Sequence, residues 1–385
     1  MTSVFVTDAH YKMSLAPIRS LSAAGFRLIS CEYENVPKKQ CLGFYSRYVR
    51  DTVRIPSDSD KLLCAVDGIC ASGDVILPVG RSSVRALAGR RSAAVNSAFL
   101  VSSLDTLKNA DDKAYVFRTA KRLGIPVPFT AFLSDHSTLE ALASEAVYPC
   151  IIKYRDGEAL GLHSHERYSI SYSRSEFLES YARMNALSPG PLVQEYLTGH
   201  DIGVALVMDE NSDPVDFLCY ESELEYPISG GPTCLCRTVF NRELLINACA
   251  LLKELRFIGI ALLDFKGSPE NARLLEVNPR VWGSANICTV AGSTFFESYV
   301  KAALGKHDPI DPDTCTPTYR LGVRMRFFPQ NIFALLQKLR KGPSAAFLSD
   351  LKSFFDFSVR DGLFQLADAR PFFKYIKNSI SNSGI

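Results

Sequence analysis

Nowhere in the 385 residues does an apolar run approach the roughly 20 residues that a helix needs to span a bilayer. The opening segment, MTSVFVTDAH, has no basic stretch followed by an apolar one, so no secretory signal is expected. An excess of one charge is missing too. The 43 basic and 41 acidic side chains leave a net +2, which excludes a globally basic nucleic-acid binder and an acidic solvating tail. No G-x-G-x-x-G follows the first expected strand, so a dinucleotide fingerprint is absent. Zinc-type spacing is absent as well: Cys234 and Cys236 have no second pair, and His163 and His165 lie in a polar loop with no cysteine nearby. Neither an internal repeat nor a low-complexity linker interrupts the chain.

What is present is an ordinary globular composition, 47% apolar and 22% charged. At roughly 100–200 residues per domain this length makes two or three folded units. They can bury a core without disulfides or a structural metal. The eleven cysteines are scattered and odd in number, which points to reduced thiols, mostly small buried apolar groups, and to a cytoplasmic location. Charge is uneven along the chain: residues 318–385 carry 11 basic and 4 acidic side chains, a local +7 that leaves −5 for the remainder.

Short apolar runs alternate with helical stretches up to residue 78, with strands expected at 4–6, 26–30 and 74–78 and a helix at 15–24 closed by Gly25. Strand–helix–strand units with short connections imply a parallel sheet covered by helices. Asp111 is placed to cap a helix running to residue 123, stopped by Gly124, Pro126 and Pro128. Strands are then expected at 130–133, 150–154, 168–172, 192–196, 202–208, 259–265 and 273–277, with a polar loop at 155–167 and a helix at 244–255. After Gly305 the composition turns to phenylalanine with arginine and lysine, which reads as a C-terminal extension.

The segment GIALLDFKGSPENARLLEVNPR, residues 259–280, is the most informative. Gly267, Ser268, Pro269 and Asn271 make its middle a turn, so the flanking strands pair antiparallel. With the turn centred on residue 270, paired positions sum to 540 and Asp264 faces Glu276. Directly opposed like charges destabilise a sheet by up to about 1 kcal/mol. Asn278 lies two residues beyond Glu276, on the same face of an extended chain. Two carboxylates and an amide oxygen converge, a hard-oxygen set suited to Mg²⁺ bound together with phosphates. The alternative is a solvated face of a surface hairpin. Arg280 follows directly, placed either to clamp a transferring phosphoryl group or to pair with a neighbouring acid.

Two lysines invite the same question. Lys113, in the first turn of its helix, opposes the helix dipole at a cost of about 0.3–1 kcal/mol if exposed. Either it reaches an anionic ligand, or Asp111 and Asp112 neutralise it. Lys153 ends an interior-looking strand, YPCIIK, where a charge needs a partner. The glycines of the following loop, Gly157 and Gly161, are too sparse for a Walker-type cradle. VQEYLTGHD, residues 193–201, reads as a strand, a glycine turn and a second strand. Backbone groups at such a turn can read an adenine edge while an acid just beyond holds ribose hydroxyls; otherwise it is an acidic loop between strands.

In their order along the chain, DK (112–113), LGIPVP (123–128), YPCIIK (148–153), VQEYLTGHD (193–201), GIALLDF (259–265) and LLEVNPRVWGS (274–284) resemble the ATP-grasp superfamily, especially its carbamoyl-phosphate-synthase-like carboxylate–amine ligases. The resemblance covers roughly residues 1–305. It implies an α/β and α+β architecture: an N-terminal parallel-sheet domain at 1–110, a two-lobed ATP-binding core at 111–305 with lobes of about 111–190 and 191–305, and the extension at 306–385. It further implies that Lys113 and Lys153 contact ATP phosphates, that Gln194, Glu195, Tyr196 and Leu197 form an adenine hinge, and that Asp201 lies near the ribose. Asp264, Glu276 and Asn278 would hold one or two Mg²⁺ ions, which Mn²⁺ could replace, and Arg280 would steady the transferring phosphate. The loop EYPISGGPT, with Ser229, Gly230 and Gly231, together with Trp282 and Ser284, would border the substrate. The implied reaction activates a small carboxylate, such as an amino acid, as an acyl phosphate and joins it to an amine. No nucleic-acid partner is implied, and a homodimer is compatible. The loop at 155–167 departs from the pattern, being poorer in glycine than in many members, which leaves its closure over ATP open.

Two rivals stand beside this reading. One is a nucleotide-binding regulatory or sensor protein with the same fold and no turnover; opposed carboxylates and two lysines argue against it. The other concerns Phe327, Phe328, Phe354, Phe355, Phe372 and Phe373, which could lie with their basic neighbours on an anionic membrane or nucleic acid. Packing of these rings onto the rest of the protein is preferred, because Pro329, Pro343 and Pro371 interrupt any continuous amphipathic stripe.

Overall fold

The computed structural model describes residues 2–58, 61–89, 96–157, 160–162, 166–228, 230–268, 270–342 and 344–382; Ser229, His163 and His165 lie outside the described residues. The N-terminal strands are β1 (Ser3–Val6), β2 (Arg27–Tyr33), β3 (Val49–Ile55), β4 (Asp74–Leu77) and β5 (Ser97–Ala98). They form a parallel sheet in the order β3-β2-β1-β4-β5. Every residue of β1 and β4 is buried, as strands covered on both faces require.

A small antiparallel sheet follows, made of β6 (Thr130–Phe132), β7 (Cys150–Lys153), β8 (Tyr168–Ser171) and β9 (Leu192–Glu195) in the order β6-β9-β7-β8. It has its own apolar core with the helices Leu139–Glu145 and Arg174–Leu187, where Leu142, Phe177 and Tyr181 meet Ile152 and Val193. The helix expected to begin at Asp111 begins two residues later. Leu104–Asp111 is itself helical, and Asp112 caps the next helix, Lys113–Arg122, accepting from the Ala114 N–H at 2.9 Å. Asp111 is occupied elsewhere, paired with Arg81 and Arg85.

The third sheet contains β10 (His200–Met208), β11 (Pro214–Glu225), β12 (Thr233–Val239), β13 (Gly259–Gly267), β14 (Arg273–Asn278), β15 (Arg324–Arg326) and β16 (Arg360–Asp361), in the order β14-β13-β10-β11-β12-β15-β16. One continuous apolar core joins it to the N-terminal sheet. The strands β11 and β12 have no counterpart in the sequence reading. Their polar residues obscure the alternation; Glu221 and Glu223, for example, are matched by Arg237 on the neighbouring strand.

Beyond residue 305 the chain supplies β15 and β16 to this sheet at the edge opposite the β13–β14 hairpin. The C-terminal segment is also fastened to the N-terminal unit. The guanidinium of Arg19 pairs with Asp368 at 3.0 Å and donates to the carbonyls of Gly362 and Leu363, with both side chains almost completely buried. Of the six phenylalanines, Phe327 is buried, Phe354 and Phe372 are half-buried, and Phe328, Phe355 and Phe373 are exposed, so packing accounts for only part of them. All eleven cysteines are free thiols, nine of them buried. Among the described residues no helix is long and apolar enough to cross a membrane.

Breaking a buried ion pair leaves one charge uncompensated, typically at a cost of about 3–5 kcal/mol. Arg19→Ala and Asp368→Ala should each lower unfolding stability by about that amount, and the double variant by much less than their sum. Urea unfolding of the three proteins measures both the cost and the coupling.

Candidate active site

The hairpin pairs as its sequence implies, Leu262 with Asn278, Leu263 with Val277 and Asp264 with Glu276, until a bulge shifts the register so that Phe265 pairs with Leu274. Leu275 is the extra residue. It lets Leu274 turn into the core while Glu276, two positions on, faces the other side. The two carboxylates line a cavity of about 620 Å³ between the small sheet, the large sheet and the N-terminal unit. Of the other candidates, Lys113, Lys153, Gln194, Glu195, Tyr196, Leu197, Asp201, Gly230, Gly231, Asn278, Arg280, Trp282 and Ser284 also line it.

Electrostatics around the pair is sharply divided. Lys113 Nζ lies 2.9 Å from Glu276 and holds its carboxyl down to about 2, well below the usual range and against the effect of burial. Asp264 goes the opposite way. Burial, then Glu276 opposite and Asp201 nearby, push its carboxyl well above the ordinary value. Asn278 bridges the two, its Nδ2 donating to Asp264 at 2.8 Å and to Glu276 at 3.0 Å. A half-turn of that amide presents its oxygen to the same point. Lys113 is therefore not neutralised by Asp111 or Asp112; its partner is the hairpin.

Lys153 is different, for among the described residues it forms no ion pair. Burial and the neighbouring Lys113 push its ammonium down to about 8. It comes from β7 beside Ile151, in register with Leu192 and Gln194 of β9, so Gln194 shares the cavity face. Gln194 Nε2 donates to Thr130 at 3.0 Å, and its buried Oε1 has no partner among the described residues. The side chain of Glu195 turns away, accepting from the Phe129 N–H at 2.8 Å and pairing with Arg273. Its contribution to a base site would therefore be its backbone. Asp201 is paired with Lys266 at 2.7 Å. Glu225, half-buried and hydrogen-bonded to Asp201, is pushed up to about 8.

Several lining residues had no sequence assignment. Lys266 stands two positions after Asp264 and so on the same face, a signal that strand alternation could have supplied. Tyr220 has no such signal, because it lies on the unanticipated β11. Its register partner Gly203 has no room for a side chain: a Cβ there would come 2.3 Å from the Tyr220 ring. The absent side chain lets the phenol lie toward Asp264, hydrogen-bonded to Ser284 and stacked on Trp282 with centroids 6.3 Å apart. On the far side Gly231 abuts the Tyr226 carbonyl, which a Cβ would meet at 2.3 Å. Arg81, from the N-terminal unit, binds both Asp111 and Asp156 of the loop after Lys153.

The donor set fits a hard cation. Two carboxylates and an amide offer oxygen. Among the described residues no three His, Cys, Asp or Glu side chains surround one point, so ligand and water oxygens would have to complete the shell.

No family model matches the chain. Its sequence is 27% identical over 215 residues to the carbamoyl phosphate synthase large chain of Acidobacterium capsulatum, covering 52% of this chain and 19% of that protein. It is 26% identical over 182 residues to the D-alanine–D-alanine ligase of Anaplasma marginale, covering 43% and 51%. The chain thus spans less than a fifth and about half of these two relatives. A biotin carboxylase–β-γ-ATP complex from Campylobacter jejuni superposes with a TM-score of 0.65 at 14% identity, over 84% of this chain and 74% of that one. N5-carboxyaminoimidazole synthetase from Staphylococcus aureus superposes with a TM-score of 0.64 at 14% identity, over 89% and 86%. The chain has the ATP-grasp fold. An ATP-grasp fold holds its cavity between two sheets, as this one does.

Trp282 is the single tryptophan and reports on this site. Gly203→Ala should displace Tyr220, cost about 1–3 kcal/mol through overpacking, and shift the Trp282 emission of the folded protein. Fluorescence and urea unfolding of the one variant test both.

Proposed function

We propose that the protein is an ATP- and Mg²⁺-dependent ligase that activates a small carboxylate as an acyl phosphate and joins it to an amine. The observation that carries this reading is Lys153. A half-buried lysine without an ion pair among the described residues, in a cavity whose opposite wall bears two opposed carboxylates, is a site lacking an anion and a cation together. A magnesium polyphosphate supplies both.

A carboxylate is a poor electrophile because its leaving group would be an oxide. Transfer of the γ-phosphoryl group of ATP to a carboxylate oxygen replaces that leaving group with phosphate, and an amine then displaces it to form the amide. In this assignment Lys153 and Lys113 bind phosphate oxygens, and nucleotide binding draws Lys113 from Glu276. Arg280, at the cavity wall, offsets charge as the phosphoryl group moves. Mg²⁺ held by Asp264, Glu276 and Asn278 would neutralise phosphate charge. Gln194 Oε1 and the hinge backbone receive the base, and Gly230, Gly231, Trp282 and Ser284 border the acceptor. The divisions at residues 110 and 305 are kept as functional units: an N-terminal unit closing one side of the cavity, the nucleotide-binding core, and the extension.

ADP release should require both a carboxylate and an amine, and a screen of amino-acid and carboxylate pools would identify them. Asp264→Asn and Glu276→Gln should each abolish it while leaving the fold intact by circular dichroism; full turnover by either would remove the metal assignment. Binding of ATP with no ADP release, whichever carboxylates and amines are supplied, would favour a sensor.

The pH dependence follows from Lys153. Its ammonium form binds phosphate and predominates below about pH 8. ADP affinity should be flat below that pH and fall by up to about tenfold per unit above it, whereas Lys153→Met should flatten the profile. Titration of Trp282 emission with ADP across pH measures it.

A further inference from the structure

Eleven of the twenty-two large apolar side chains exposed among the described residues fall between residues 321 and 373. Two of them project almost completely: Phe357 is 93% exposed and Leu366 is 89% exposed. Neither sits on a loose strand. Phe357 stands in a turn where Asp356 accepts from the N–H and hydroxyl of Ser358. Leu366 begins the short helical turn Leu366–Asp368, anchored by the buried Arg19–Asp368 pair and by hydrogen bonds from Ser46 and the Arg47 N–H to Asp368. The fold thus spends polar interactions on holding two apolar side chains out into solvent. On the helix Phe328–Arg340, Phe333, Leu336 and Leu339 form an exposed row on the outer side, while Ala334 and Leu335 face inward.

The charges of this region are one-sided as well. All four acids are consumed internally: Asp350 by Lys338, Asp356 by Arg324 and Ser358, Asp361 by the N–H groups of Phe328, Leu363 and Phe364, and Asp368 by Arg19. Arg340, Lys341, Lys352, Arg360 and Arg370 are exposed and have no carboxylate partner among the described residues. Projecting apolar groups among unpaired cations match a surface that is anionic at its plane and apolar just beneath it. A second copy of this chain would bring the same cations face to face. A nucleic acid offers the charge but no apolar layer to receive Leu366 or the Phe333 row.

We infer that the C-terminal segment docks the protein on an anionic lipid bilayer, with Phe357 and Leu366 entering the acyl boundary and the unpaired arginines and lysines lying at the headgroups. This does not rest on the ligase reading. The docking is peripheral.

Cosedimentation of the full chain with phosphatidylcholine vesicles, with and without phosphatidylserine, tests it. Partitioning onto the phosphatidylserine vesicles should exceed that onto phosphatidylcholine alone by at least about tenfold and decline as salt is raised. The pairs Phe357→Ser with Leu366→Ser and Arg340→Glu with Lys341→Glu alter only exposed side chains. Each should keep the circular dichroism spectrum and weaken partitioning by about tenfold or more. Absence of binding, equal binding to both vesicles, or binding untouched by either pair would overturn the inference. So would binding to polyuridine RNA without binding to vesicles, or self-association that the same substitutions abolish.

Discussion

Asp264 and Glu276 face each other across a two-stranded hairpin, a like-charge pairing that destabilises a sheet and that a nearby cation relieves. The surroundings show how that is arranged. Lys113 reaches Glu276 from a helix outside the hairpin, so one carboxylate is held firmly ionised while the other, desolvated and beside a like charge, is driven the opposite way. Asn278 ties the two together with a single amide. The helix carrying Lys113, the capping Asp112 and the displaced Asp111 all follow from the need to bring one ammonium to this place. Lys153 is the remainder of that balance, a second ammonium with no paired carboxylate among the described residues.

The same economy explains the neighbouring polar groups. Asp201 and Lys266 neutralise each other in register across β10 and β13, and Glu225 joins Asp201 only at the expense of its own ionisation. Tyr220 reaches toward Asp264 because Gly203 leaves the space for it. A carboxylate-rich cavity is thus built from paired charges, with a few deliberate absences of side chain.

Beyond the cavity, distant parts of the chain cooperate. Arg81 of the N-terminal unit binds Asp156 of the loop after Lys153, and Arg19 of the same unit binds Asp368 near the C-terminus. The C-terminal segment completes the large sheet at one edge and leaves Phe357 and Leu366 projecting from it. Composition had separated this segment by its charge; its strands and its buried Phe327 make it part of the central architecture.

Much of this was legible in the order of residues. The hairpin register follows from a turn and the strict alternation of extended chain, and up to the bulge it is the register observed. The strands β1, β7, β9, β10 and β13 are apolar runs whose type is set locally. Other features were not legible, because they depend on pairings far apart in sequence. The strands β11 and β12 hide their alternation behind glutamates that only the facing arginines make tolerable, so Tyr220 could not be assigned. Leu275 as a bulge, Asp112 over Asp111 as the cap, and Glu276 over Asp111 as the partner of Lys113 are choices between near-equal local options, and tertiary packing makes them. The sequence alone determined which residues carry charge and along which short segments they alternate, since these are properties of neighbours along the chain. Tertiary structure decided which charges meet, because pairing energy depends on distance and burial, and both arise only when the sheets close around the cavity.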